Sequence, residues 1–174
     1  IEGADSLTRL PDGVFAVTWD SNNFNLMASL LIADLRASYN NGPVNTAVGY
    51  GGSLSGKVKL PFGTYQNDFL FSVSNGIGVG SHYQNAHADA VYDTVTSSLE
   101  PLENFGVTLG YALGWSERLT STFTYCCIEI YNNDAQSDES LQETEYDSAN
   151  MVWNVNTYGM VGVEGIWGKR KDKD

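Results

Sequence analysis

Hydrophobic and polar residues alternate with a period of two along most of the chain, the pattern of strands with one apolar face and one polar face. From Phe105 one face reads Phe105, Val107, Leu109, Tyr111, Leu113 and Trp115, and the other Gly106, Thr108, Gly110, Ala112 and Gly114. Val48, Tyr50, Gly52, Leu54, Gly56, Val58 and Leu60 stand opposite Ser53, Ser55, Lys57 and Lys59. Phe69, Phe71 and Val73 alternate with Asp68, Leu70, Ser72 and Ser74. Weaker runs cover Val14–Trp19, Phe24–Arg36, Leu119–Tyr131, Glu145–Val155 and Tyr158–Lys169. About eight strands follow, with no run of helical period, so the expected class is all-β.

Several runs reach about ten residues, longer than most strands of globular sheets and matched to the 9–11 tilted residues that cross a bilayer. Connections alternate in length. Asp20–Asn23, Pro61–Thr64, Ser116–Arg118 and Asn154–Thr157 read as tight polar turns, while residues near 38–45, 79–103 and 132–144 read as long loops. Short turns on one side and long loops on the other are the arrangement of outer-membrane barrels. Trp19, Trp115 and Trp153 each close a strand just before a tight turn, and Trp167 lies at the opposite end of its strand. Amphipathic rings at strand ends read as an aromatic girdle at the headgroup level. Rings capping the core of a sandwich are the other reading, and the strand-end positions favour the girdle.

Composition narrows the classes. Charged residues are 17% and aromatic residues 12%, which excludes a disordered chain. Nine Lys and Arg against 21 Asp and Glu give a net charge of −12, unsuited to holding nucleic-acid phosphates. Cys126 and Cys127 are adjacent, and consecutive Cα atoms about 3.8 Å apart disfavour a disulfide between them. No stretch of apolar residues is long enough for a membrane-spanning helix, and Ile1–Asp12 lacks the basic start and apolar middle of a signal peptide. One partial barrel domain over residues 1–174 is the expected organisation.

Several stretches resemble the DcaP-like porins of Gram-negative outer membranes. They are Gly76-Ile77-Gly78, Asp89-Ala90-Val91-Tyr92-Asp93, Leu99-Glu100-Pro101-Leu102, Gly110-Tyr111, Trp115, Leu119, Ser121, Tyr125, Trp153-Asn154, Gly162-Val163-Glu164 and Gly168-Lys169-Arg170. Upstream, Leu54-Ser55-Gly56-Lys57-Val58-Lys59-Leu60 is similar to a strand of that family. The resemblance implies a homotrimer of 16-stranded barrels in the bacterial outer membrane, in contact with lipid and lipopolysaccharide, through which small solutes such as dicarboxylates diffuse without a cofactor. About eight strands are half of such a barrel. The expectation is therefore the C-terminal half of a porin without its last strand. A self-contained eight-stranded barrel with a structural role and a secreted β-sandwich that binds carbohydrate are the alternatives.

If the apolar faces meet lipid, alternation places Ser53, Ser55, Lys57, Lys59, Asp68, Ser72, Ser74, Thr108, Thr120, Thr122, Thr124, Asn150 and Glu164 on the lumen. Lys57 and Lys59, one repeat apart, would raise the local concentration of an anion, or else hydrate the wall or pair with Asp68. Arg36 ends a run apolar on both faces, as expected at a subunit interface. Asp134, Asp138, Glu139, Glu143, Glu145 and Asp147 cluster in or beside one long loop and read as a solvated acidic region without the pattern of an EF-hand. Val79–Glu103 is the best candidate for a loop that folds inward and narrows a pore. Its His82 and His87, with Asp89, are a conceivable metal set, but solvated loop residues are the preferred reading and no metal is expected. The chain has no nucleophile elbow, phosphate-cradling loop or zinc-protease motif, so no catalytic residue is expected.

Overall fold

The computed structural model describes residues 1–7, 9–83 and 88–173. The strands in order are β1 (Asp5–Ser6), β2 (Gly13–Asp20), β3 (Phe24–Ser38), β4 (Val44–Lys59), β5 (Asn67–Ile77), β6 (Ala90–Asp93), β7 (Ser98–Pro101), β8 (Glu103–Gly114), β9 (Leu119–Tyr131), β10 (Leu141–Asn156) and β11 (Gly159–Asp172). The eight runs that alternate in the sequence are β2 to β5 and β8 to β11. The one helical element among the described residues is the single 3-10 turn Gly80–His82.

The long strands form one antiparallel sheet in the order β3-β4-β5-β8-β9-β10-β11. Both β1 and β2 pair with the free side of β3. Each long strand pairs with the next long strand of the chain, an antiparallel meander whose longest connection, from β5 to β8, carries β6 and β7. Chain reversal at the tight turns is held locally. The Ser21 N–H donates to the Phe24 carbonyl (2.8 Å), and Trp19 meets Phe24 edge-on at 5.3 Å across the same turn. The Ser116 hydroxyl accepts from the Arg118 and Leu119 N–H groups at the turn between β8 and β9. The last turn is shorter than expected, because β10 runs to Asn156 and β11 restarts at Gly159. Among the described residues β11 does not pair with β1 or β2, so the sheet is open.

The segment expected as a long polar loop carries its own structure. β6 and β7 form a two-stranded hairpin, and the segment around them is apolar where it touches the sheet. Ala90 and Leu99 pack with Ala33, Leu35 and Ala37 of β3, while Val91 and Leu102 pack with Ile128 and Ile130 of β9. Val91, Leu99 and Leu102 are 2%, 8% and 1% exposed, and burying each contributes about 1.5–3 kcal/mol. β3 and β9 stand four places apart in the sheet, ~19 Å if it were flat. One small hairpin reaches both, so the sheet curls around it. The second layer of a β-sandwich is missing among the described residues; this hairpin is the only other sheet.

Candidate functional site

The face on which residues 78–83 and 88–102 pack is the inner one, and pair register assigns every strand to it without ambiguity, because a one-residue slip would invert the whole set. Ser29, Ser53, Ser74 and Gly106 are mutual partners across β3, β4, β5 and β8. One step toward the tight turns, Ser55, Ser72, Thr108 and Cys126 form the next row, followed by Lys57, Leu70, Gly110, Thr124 and Ser148. Lys59, Asp68, Ala112, Thr122, Asn150 and Glu164 complete the lower edge. Ser53, Ser55, Lys57, Lys59, Asp68, Ser72, Ser74, Thr108, Thr120, Thr122, Thr124, Asn150 and Glu164 thus share one face. Neighbouring hydroxyls meet across the strands, Ser29 and Ser53 oxygens lying 2.8 Å apart.

Three of these residues differ in detail from the sequence expectation. Asp68 is 6% exposed rather than open, because the Gln66 side chain folds over it and donates to its carboxylate at 3.0 Å. Lys59 is the register partner of Asp68, yet no ion pair joins them among the described residues. Lys57 and Lys59 are exposed at the tight-turn end of β4, away from the inward-packed segment. Alternation alone assigns a face but no height, so it could not place these lysines at a rim. It also passed over Ser29 and Arg170. The inner phase of β3 is masked in sequence by Met27, Leu31 and Leu35, and Arg170 sits at the end of a weakly alternating run.

On the opposite, outward face, the exposed side chains at the turn end are apolar on the long strands, the polar Asn67 and Ser121 there being buried. They include Phe15, Leu30, Leu54, Val73, Leu109, Phe123, Met151 and Val163, all more than a third exposed. The first outward charges above them are Asp34, Glu103, Glu129, Asp147 and Lys169. The charge-free belt beneath spans about nine residues of each strand, ~23 Å at a tilt of about 40°, against the ~25 Å apolar band of membrane barrels. Trp19, Trp115 and Trp153 lie at its turn-side edge at 65%, 53% and 51% exposure, and Trp167, opposite Asp147, lies near its other edge. The Trp115 indole N–H donates to the Ser121 hydroxyl at 3.0 Å.

Of the acids read in or beside the long loop, Glu145 and Asp147 lie in the expected strand, and β10 begins earlier than expected, at Leu141, so that Glu143 joins them; all three project outward above the belt. Lys169 donates to Glu145 at 3.3 Å. Arg36 also projects outward, paired with Asp34 at 2.7 Å on the same strand. Cys126 and Cys127 are unbonded to each other and face opposite sides, Cys126 accepting from the Thr108 hydroxyl at 3.4 Å.

The inward-packed segment lies on a floor of small residues. A Cβ on Gly76 would come within 2.4 Å of Val79, and one on Gly106 within 2.8 Å of the Tyr83 ring. These glycines exist so that the segment can press on the backbone. Burial against the wall pushes the Tyr83 phenol above its ordinary value, partly offset by the Ser74 hydrogen bond, so it stays a neutral donor. Its hydroxyl donates to the Asn104 carbonyl at 3.4 Å. Between segment and wall a cavity opens, lined by His82, Tyr83, Ser29, Ser53, Ser72 and Ser74. Of the conceivable metal set, His87 lies outside the described residues, His82 bonds to Asp12 at 2.8 Å, and Asp89 accepts the Ser81 N–H at 2.7 Å. No three metal-donor side chains converge among the described residues.

No family model matches the chain, and no curated protein does. In three dimensions it is similar to the crystal structure of the outer membrane channel DcaP of Acinetobacter baumannii, with a TM-score of 0.81 over 99% of this chain at 16% identity. It spans 49% of the length of that channel. A polar inner face, a charge-free outer belt and an inward-packed segment thus coincide in a chain with the antiparallel all-β fold of half a DcaP-like outer-membrane channel.

Proposed function

We propose that this chain forms part of the wall of a passive diffusion channel in the bacterial outer membrane, passing small hydrophilic and mainly anionic solutes, dicarboxylates among them. The observation that carries the reading is the division of one sheet into two faces. Hydroxyls, amides and lysines line the side that holds the inward segment, and the other side offers an apolar belt of bilayer height between aromatic rims. An open sheet edge cannot stand in hydrocarbon, so further strands complete the barrel in this reading. The wall residues Ser53, Ser55, Ser72, Thr108, Thr122 and Thr124 replace part of a solute's hydration shell, and Lys57 and Lys59 gather anions at the turn-side mouth. Solutes move down their gradients with no cofactor and no covalent step, and the working unit is a homotrimer.

Planar-bilayer recording on the purified protein that carries this chain tests the reading. Stepwise ohmic conductance with reversal potentials favouring anions is the expected result, together with a heat-modifiable trimer on a denaturing gel. Protein that stays soluble without detergent and produces no conductance steps would overturn it.

A further inference from the structure

Resting on the channel reading, we infer that Glu2 and Arg170 form a subsite for small zwitterions at the loop-side end of the inner face. Its solutes would carry one ammonium and one carboxylate group, as the apolar amino acids do. Both side chains line one cavity of about 480 Å³, bounded by the β9–β10 loop and the loop-side ends of β10 and β11. Arg170 stands six residues beyond Glu164, an even step along β11, and so shares its inner face. Its register partner Thr144 lines the same cavity. Lys57 and Lys59 lie at the opposite, tight-turn end of that face.

Each of the two charges is pinned by its own partners. The Glu2 carboxylate accepts from the Ser140 hydroxyl at 2.6 Å and from the Gln136 amide at 2.9 Å. Gln136 and Ser140 are buried, and the loop that carries them is fixed by Lys173, just past β11. Its N–H donates to the Ser140 carbonyl at 2.9 Å, and its ammonium to the Asn133 and Gln136 carbonyls at 2.8 and 2.9 Å. The Glu2 backbone is tied to β6, its N–H donating to the Ala90 carbonyl and its carbonyl accepting the Tyr92 N–H. Arg170 donates from Nε to Asp172 at 2.6 Å and from Nη2 to the Glu139 carbonyl at 3.2 Å. A guanidinium has five N–H donors, so three remain. The Asp172 contact is an exposed pair, which leaves the guanidinium open to a second carboxylate. Among the described residues Glu2 and Arg170 form no ion pair with each other.

A carboxylate and a guanidinium that share a cavity without bonding one another offer opposite charges to a solute that enters it. A dicarboxylate would gain Arg170 but meet the charge of Glu2, and a simple amine would meet the reverse. A zwitterion satisfies both. Its carboxylate takes the free guanidinium donors, and its ammonium donates to the Glu2 oxygens, each of which has a second lone pair. Ile130 and Leu141 supply an apolar wall for an aliphatic side chain. The pinned partners set this arrangement before a solute arrives, so binding would order little. One contact at each end keeps it weak enough to release the solute, as conduction requires.

The test is uptake of labelled valine and labelled erythritol, at equal low concentration, into proteoliposomes of the whole protein that carries this chain. The two solutes are close in size, and only valine carries the two charges. Valine is expected to enter about tenfold faster, the effect of one net charge-assisted hydrogen bond. Glu2→Gln, whose amide oxygen can still accept from Ser140, should bring valine down to the erythritol rate and leave erythritol unchanged. Arg170→Gln should do the same, while Arg170→Lys should keep part of the excess. Equal entry of the two solutes with the wild type, or an excess that survives both glutamine variants, overturns the subsite and leaves the channel reading intact. No entry of either solute, with no conductance in bilayers, overturns both.

Discussion

The inner face has two regions that alternation in the sequence treats alike. Toward the loop side it is built from Ala33, Leu35, Ala37, Gly76, Gly106, Ile128 and Ile130, and the hairpin and its flanks cover it. Toward the tight turns it is Ser55, Lys57, Thr108, Thr122 and Asn150, which belong to neither apolar cluster under the described part of the inward segment. Small inward residues therefore have two physical meanings on one wall. On the upper part, an absent side chain is room for another backbone. On the lower part, a short hydroxyl leaves room for water. In the channel proposed above, the first region would fix the segment that narrows the space, and the second is what a passing solute would touch.

The largest effect that sharpens this comparison comes from leaving the inner face altogether. Leu54 and Ser53 are neighbours in β4 but face opposite sides. Leu54→Arg puts a charge in the apolar belt, where such a change costs about 2–4 kcal/mol near the midplane. Ser53→Arg, one residue away, should leave insertion intact and change permeation instead. Folding yield in lipid vesicles and urea midpoints would separate the two, and equal destabilisation would contradict the assignment of faces. Next in size are changes to the floor. Gly76→Val must displace Val79 or the wall, at about 1–3 kcal/mol, and should raise conductance by loosening the segment. Gly168→Ala, whose new atom meets nothing nearer than 3.8 Å, should do neither.

Much of this was legible in the sequence, and the reason is geometric. A strand exposes its register through a period of two, so the eight long strands and the face of Thr108 or Lys57 can be read from residue order alone. Height and covering cannot. Nothing local tells that Gln66 covers Asp68, or that Gly106 lies under Tyr83, since those contacts join residues brought together only when the sheet curls. The hairpin β6–β7 was missed for a related reason. Its strands are four residues each, too short for alternation to stand out, and their apolar residues make sense only against Ile128 and Leu35. Of the outward acids of β10 only Glu143 was read as loop, because charge above an apolar belt looks in sequence like charge in solvent.

A smaller effect separates lysines by face. In the proposed channel, Lys57→Glu with Lys59→Glu should lower the anion-over-cation permeability ratio several-fold, because two charges would reverse beside the aqueous path. Lys169→Gln changes as exposed a lysine, but on the outward face, where its bond to Glu145 is a surface pair worth about 0–1 kcal/mol. Its reversal potential should match the wild type. A shift as large as that of the inner pair would place β11 with the wrong side toward the lumen.

The smallest effect tests the covered region at its tip. Between β6 and β7, Asp93 accepts from the Val95 N–H at 2.8 Å and from the Thr96 hydroxyl at 2.6 Å. Those two bonds, the Thr96 hydroxyl first, hold its carboxyl below the ordinary value of 3.8. A depressed carboxyl adds stability that is complete above the unfolded value and is lost as pH falls through the folded one. The turn should therefore be fully ordered at pH 6 and fray only below about pH 4. Hydrogen exchange at the Val95 amide would show this as faster exchange in acid than the intrinsic rate predicts. Asp93→Ala should show the same fast exchange at every pH while Leu99 and Leu102 stay protected, because the buried contacts with β3 and β9, not the turn, keep the hairpin on the wall. Loss of protection throughout the hairpin would mean that the turn organises the covered region, and that the apolar floor alone does not hold it.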